Sequence, residues 1–362
     1  MKVLFVYQFS EKSTGSYMNR VQTLQNGLAR SGVETTSYFL GDSGVRGPTP
    51  FFILAGNELA KAMRHADVVH AGGVGPAGIC SMTKALNRRM PLLVYDAHGD
   101  ALSEANMLGQ CENFPKAALR FAEVAFLERM SSFECDAAIA CSTPLRNLMI
   151  SRGFSEMPID VVWNGIYVEN GWTYREPESK RFTISYLGGA HPWQGLDLLL
   201  EAAAYVAKQE TVTIRMIGPK PDDVATIAGG RPDSCIEIVP WVRDTEELAR
   251  IMRESHAFVL PRKRNRVNET AFPTKFGDFC SIGRPVISTS VGEVAAIVDK
   301  EKCGFTCEPT AQSLGEAMIK MARTEAKERI WMATNARRVA ENHLDSVLIA
   351  RKYLSFLNAL IA

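Results

Sequence analysis

Four cations, Arg262, Lys263, Arg264 and Arg266, crowd a stretch between the apolar run AFVL and a helical pattern that Pro273 opens and Gly283 closes. Unpaired backbone N–H groups and the dipole at a helix N-terminus both favour an anion, so strand, basic loop and helix start in this order describe a phosphate site. Lys275 and Asp278 stand three apart on one face of that helix, where side chains meet. A carboxylate one turn into such a helix could accept two hydrogen bonds from a ribose diol. Taken alone, the same residues equally describe a solvated basic loop with an i,i+3 surface pair.

A second Gly-rich element, Gly73-Val-Gly75-Pro-Ala-Gly78, matches GxGxxG, follows the apolar run ADVVHA and precedes a helical pattern, with Asp96 after the next apolar run. That is the outline of a dinucleotide site. Two features oppose it. The motif comes later than the opening strand-to-helix turn, and Pro76 removes an N–H from the loop that would cradle a pyrophosphate. It reads as a tight turn for close helix–sheet packing.

These residues need a scaffold, and the chain has the material for one. Its 362 residues suggest two domains, at about 100–200 residues each. Hydrophobic residues are 46% and charged residues 22%, a globular composition able to bury sizeable cores. Lys+Arg 41 against Asp+Glu 40 leaves +1, which removes the global electrostatic argument for nucleic acid or an anionic membrane as main partner. The 8 cysteines are scattered, and the pairs Cys135/Cys141 and Cys303/Cys307 lack CxxC spacing, so buried thiols are expected rather than zinc or redox work. The opening MKVLFVYQFS is too short for a signal h-region, and no run approaches the roughly 20 apolar residues of a membrane span. A cytoplasmic protein is expected.

Short apolar runs alternate with helical patterns from the start: KVLFVYQF, then SYMNRVQTLQNGLARSG, ADVVHAG, AGICSMTKALNRRM and PLLVYDAHG. Strands separated by helices of this length imply crossovers and a parallel sheet. The strand-like VVWNG at Val161–Gly165 ends this series, and the polar stretch NGWTYREPESKR is the expected linker. The alternation restarts with RFTISYLG and runs through TVTIRMIG, IEIVPW, AFVLP and RPVIST. In the basic segment, Phe258–Pro261 reads as a strand end and Arg262–Thr270 as a loop. The final segment VLIARKYLSFLNALIA carries too much apolar surface to leave in water. The reading is two tandem α/β domains, 1–170 and 171–345, with a hinge near Asn170–Arg175 and a helix at 346–362 returning to the first domain.

With these segments in view, the chain resembles the GT-B glycosyltransferases of glycosyltransferase family 4. PTKFGDFCSIGRPVIST is similar to that family's PxKxxEYMAxGxPVIxS segment, with Asp278 where a ribose-binding Glu is usual. ADVVHAGGVGPAGICSMTKALNRRMPLLVYDAHG resembles its DVVHxHxPxAG…PVVYxxHD region, VVWNGI its VIPNGV, and ISYLGGAHPWQGLDLLLEAAAYV its GRLxxxKGxDxLLxA stretch. The order is kept along nearly the whole chain.

The resemblance implies two Rossmann-like domains facing across a cleft. It further implies transfer from a nucleotide sugar, most simply a UDP-sugar with a GDP-sugar as the other donor, with retention of configuration and no cofactor or essential metal. A glycan, lipid or small molecule would be the acceptor, as in polysaccharide biosynthesis, and peripheral membrane association is compatible with it. It assigns His98 to the transferred sugar, Gly15 to an acceptor-side loop, and Trp241 and Val242 to the base. It places the diphosphate near Gln194 and the motif residues Thr270, Ala271 and Phe272, and it brings in Glu269, as a displaced counterpart of a second family Glu, for a catalytic role beside His98.

The segment Gly188–Gly195 departs from the family: it has no Arg and carries Gln194 at the Lys position. Neither Gln194 nor His191 brings a permanent charge at neutral pH, so Arg262 and Lys275, with N–H groups near Ala271 and Phe272, are expected to supply the clamp. The alternative is a catalytically silent GT-B-like binding or regulatory subunit.

Overall fold

The computed structural model describes residues 1–13, 15–42, 56–87, 89–110, 113–169, 171–178 and 181–362. Thr14 and Asn170, the latter at the start of the expected hinge, lie outside them. The chain divides into two compact units, one of Met1–Gly165, Thr270–Phe272 and Ser346–Ala362, the other of Ile166–Glu269 and Pro273–Asp345.

The first unit runs β1 (Lys2–Tyr7), α1 (Ser16–Arg30), β2 (Glu34–Phe39), α2 (Gly56–Arg64), β3 (Val68–Gly72), α3 (Val74–Ala85), β4 (Leu92–Ala97), α4 (Ala101–Gly109), α5 (Phe114–Glu134), β5 (Ala137–Ala140), α6 (Thr143–Met149) and β6 (Ile159–Val161). Its six strands are parallel in the order β2-β1-β3-β4-β5-β6. β3 and β5 are buried throughout, which is why they read as unbroken apolar runs. The edge strand β2, ETTSYF, has two exposed and four half-buried residues and carries no such run. The last strand is displaced from the expected Val161–Gly165: β6 ends at Val161, and Val162 N–H closes onto Ala140 O at 2.9 Å. Pairing with the short β5 fixes that register.

The second unit runs β7 (Phe182–Leu187), α7 (Leu196–Val206), β8 (Val212–Gly218), α8 (Pro221–Ala228), β9 (Ile236–Pro240), α9 (Thr245–Arg253), β10 (Ala257–Leu260), α10 (Arg266–Thr270), α11 (Thr274–Ser281), β11 (Val286–Thr289), α12 (Gly292–Glu301), β12 (Gly304–Cys307), α13 (Ala311–Arg323) and α14 (Ala326–Val339). Its parallel order is β12-β11-β10-β7-β8-β9. α10 corrects the expected loop over Arg262–Thr270. Asn265 caps it, its Oδ1 accepting from Asn268 N at 3.0 Å and its carbonyl from Glu269 N at 2.9 Å, as an N-cap should.

The helix α15 (Ser346–Ile361) belongs to the first unit, where Ile349, Tyr353 and Leu357 join the core of Val3, Phe5, Leu24 and Val68. Each sheet is therefore doubly wound. Strand order reverses between β1 and β3 in the first and between β7 and β10 in the second, the places where such sheets hold ligands beyond their strand ends.

Candidate functional site

In the second unit the residues singled out from sequence converge at the β7/β10 reversal. The loop after β7 opens with Gly188 at φ +151° and closes with Gly195 at φ +75°. A Cβ on Gly188 would meet the Lys275 ammonium and the Tyr186 hydroxyl, and one on Gly195 would strike the carbonyl of Pro261 at the end of β10. Only glycine lets the two loops interlock this closely. Lys263 pairs with Asp197 on α7, fastening the loops from outside.

The cations divide by role. Arg264 donates to Glu269 Oε1 at 2.9 Å and to Ser290 O at 2.8 Å, while Glu269 Oε2 accepts the N–H of Gly292 at 3.0 Å. Glu269 thus braces the start of α12 through Oε2 and holds Arg264 through Oε1. Arg262 is buried, donates to Asn268 Oδ1 at 2.7 Å, and has its carbonyl held by Thr289 Oγ1 at 2.6 Å.

Lys275 Nζ lies 3.1 Å from Gln194 Oε1 and 5.7 Å from the centre of the Tyr186 ring. Burial and then the nearby Arg262 charge lower the Lys275 ammonium to about 7, with Asp278 acting the other way. Burial raises the Asp278 carboxyl to about 6 against the pull of Lys275, and among the described residues that carboxylate has no hydrogen-bond partner. Two cations and a carboxylate are thus gathered in low dielectric, an arrangement whose chemistry suits a charged, polar ligand. His191 stacks on Trp193 with ring centres 4.9 Å apart, and burial followed by Lys275 disfavours its protonation. Trp241, directly after β9, is 58% exposed and edges Gly218, while Val242 is half-buried.

Thr270, Ala271 and Phe272 group with the first unit. Ser142 donates to Thr270 O at 2.5 Å and Asn164 to Phe272 O, while Trp163 stacks on Phe272 at 5.3 Å. The backbone N–H of Phe272 is directed at the Cys141 sulfur. This corrects the expectation of a spare donor there: the N–H is spent inside the first unit.

At the β1/β3 reversal of the first unit, the Tyr17 hydroxyl accepts from Gln8 N at 2.7 Å and donates to Gly72 O at 2.7 Å, bridging the two strand ends. Gly15 precedes α1 at φ +129°, its carbonyl accepting from Asn19 N at 2.9 Å. His98 follows β4 with its ring 4.9 Å from that of Tyr17 and its Nε2 2.9 Å from Asp96 Oδ2. The GxGxxG turn serves packing. Tyr17 lies on Gly73, and a Cβ on Gly78 would meet Leu127 on α5 at 2.7 Å or less.

Sequence reasoning missed Tyr17, Tyr186 and Arg20. Arg20 is a buried guanidinium on Asp96, and nothing in the pattern of α1 marks it as interior. Among the described residues no three His, Cys, Asp or Glu side chains gather as a metal site, and no helix is long and apolar enough to cross a membrane.

Comparison with known proteins bears on the fold and the family. The family model for Glycosyltransferase Family 4 matches residues 19–170, and that for Glycosyl transferases group 1 matches residues 181–324. No curated protein matches the chain. Among solved structures, Anabaena HepE in complex with UDP-glucose superposes at a TM-score of 0.73 with 17% identity, covering 99% of this chain and 100% of that one. A sucrose-phosphate synthase from Thermosynechococcus elongatus gives 0.72 and 14%, covering 99% of both. A Rickettsia africae glycosyltransferase gives 0.73 and 15%, covering 99% of this chain and 98% of its own. At such identities these neighbours speak to the fold, while the two family models account for both halves of the sequence: the chain belongs to the GT-B glycosyltransferases and resembles family 4.

Proposed function

We propose that this glycosyltransferase moves a hexosyl group from a UDP-sugar to a glycan, lipid or small-molecule acceptor, retaining anomeric configuration and using no resident metal. The observation that carries the reading is the convergence of Gln194, Arg262, Lys275 and Asp278 at the β7/β10 reversal. Supporting the choice of base, the structural neighbour HepE is in complex with UDP-glucose.

As the bond between the anomeric carbon and the diphosphate breaks, charge develops on the leaving oxygens, and fixed positive groups stabilise it best in a site of low dielectric. Arg262 and Lys275 supply that charge, and the Gln194 amide N–H groups add neutral donors, its oxygen being held by Lys275. Asp278 receives the ribose hydroxyls. Trp241 and Val242 flank the base, and Gly15 lies on the acceptor side. His98, with Nε2 on Asp96, offers Nδ1 to a sugar hydroxyl. Glu269, occupied by Arg264 and Gly292, shapes the loop rather than touching sugar.

A second reading, a silent binding subunit, is favoured by one observation: the neutral Gln194 and a lysine near half protonation make a weaker clamp than two permanent cations. Incubation with UDP-glucose, UDP-galactose and GDP-mannose, with and without EDTA, decides between them. UDP release, EDTA-insensitive and yielding a product of the donor's anomeric form by NMR, supports the transferase. Binding without any release supports the silent subunit.

A further inference from the structure

We propose that Asp96 is a positioning residue for His98, fixing the imidazole as the Nε2–H tautomer so that Nδ1 is presented as a hydrogen-bond acceptor toward substrate. The inference rests on the reading of His98 given above and names what makes that histidine usable.

Asp96 is the penultimate residue of β4 and fully buried. Arg20 Nη2 reaches Oδ1 at 2.7 Å, and Arg20 Nε lies 2.9 Å from Oδ1 and 3.1 Å from Oδ2. Arg20 is itself held by Val162 O at 2.8 Å and Asn164 Oδ1 at 2.9 Å. From the other side, His98 Nε2 stands 2.9 Å from Oδ2, and His70 Nε2 is 3.4 Å away. Tyr353 OH lies 2.8 Å from His70 Nδ1; donating there, it leaves the remaining His70 proton on Nε2, facing Asp96.

Burial opposes ionisation of Asp96, but Arg20, then His98 and His70, outweigh it and hold the carboxyl well below its ordinary range. The carboxylate is therefore an acceptor only, and the nitrogen facing it must carry a proton. Among the described residues His98 Nδ1 has no partner, so the lone pair left by this arrangement is the one available to a ligand. The logic is that of a carboxylate orienting a catalytic imidazole, where an Asp→Asn change keeps the shape but selects the wrong tautomer.

The test uses the whole protein. Long-range 1H–15N spectra report directly which His98 ring nitrogen carries the proton. Nε2–H in the parent is expected, and Nδ1–H there overturns the proposal whatever any variant does. In Asp96→Asn, Arg20 claims the amide oxygen and the NH2 faces His98, so the ring should switch to Nδ1–H. Turnover should fall by about 10²-fold or more while KM for UDP-glucose changes little. Should the lone Arg20 charge prevent folding, Arg20→Gln/Asp96→Asn removes both charges together and the same switch is read.

His98→Ala separates the two layers. Full turnover in that variant sinks the reading of His98 itself. Lost turnover in His98→Ala, with tautomer and turnover both intact in Asp96→Asn, sinks only the positioning role.

Discussion

Lys275 Nζ donates to Gln194 Oε1 across 3.1 Å, so the one cation on α11 that faces the loop after β7 leans on a neutral amide. A lysine at 194 would set a second ammonium beside Lys275, already depressed by burial and by Arg262. We predict that Lys275→Ala weakens UDP binding by about 2–5 kcal/mol, the range for a charge lost from a desolvated site. Gln194→Lys should lower the melting temperature of the parent yet partly restore UDP binding in the Lys275→Ala background, by calorimetry. A neutral Lys275→Ala together with a strongly activating Gln194→Lys would mean that the charge was never relocated to Lys275.

The same pair sets a pH dependence. In the empty site Lys275 loses its proton near pH 7, and a bound diphosphate favours the ammonium, so binding above that pH must take up a proton. UDP affinity should fall above about pH 7, by up to tenfold per unit. Below about pH 6 protonation of Asp278 removes its carboxylate acceptor and weakens binding again. Isothermal titration in buffers of different ionisation enthalpy should show net proton uptake at about pH 8 that disappears in Lys275→Met. Equal heats in all buffers would contradict this.

The sequence carried the architecture further than the site. β1, β3, β7 and β10 are buried on both faces and announce themselves as apolar runs, whereas β2 and β12, half-exposed at sheet edges, give no such signal. The gathering of Arg262, Lys275 and Asp278 was legible because cations and a carboxylate around a short helix follow the pattern of an anion site. What each cation does was not. Lys263 and Arg264 are spent on Asp197 and Glu269, through contacts between segments distant in the chain or folded back by Asn265. The Asp96 network was opaque for a similar reason: Arg20, His70, His98 and Tyr353 are spread along the chain and come together only when α1, β3, β4 and α15 share one core.

Asp278 is expected to hold the donor ribose, since its carboxylate is unengaged among the described residues while burial disfavours its charge. Asp278→Ala should weaken UDP by about 1.5–3 kcal/mol, the range for a hydrogen bond to a charged group. It should bind uracil-free pyrophosphate as the parent does, apart from a further drop in the protonation of Lys275, which Asp278 supports. Pyrophosphate carries that side effect alone, so the loss seen with UDP beyond the loss seen with pyrophosphate reports the ribose contact. Equal UDP affinity in parent and variant would make Asp278 a structural acid only.

The last prediction concerns α15, whose Ile349, Tyr353 and Leu357 are buried in the core of the first unit. Leu357→Ala leaves a cavity among Val3, Leu24 and their neighbours and should cost about 2–5 kcal/mol. Tyr353→Phe keeps the ring and removes only the hydroxyl, leaving His70 Nδ1 without its 2.8 Å partner in a fully buried place. Its cost should be about 1–3 kcal/mol. Deleting Tyr353–Ala362 combines both losses and should melt the first unit outright. Hydrogen exchange locates the damage: protection should fall in β1, β3 and α1, which pack with α15, while β7, β8 and β10 keep theirs. An unchanged melt in the deletion, or exchange that rises only in the second unit, would show that α15 contributes nothing to the core in which it lies.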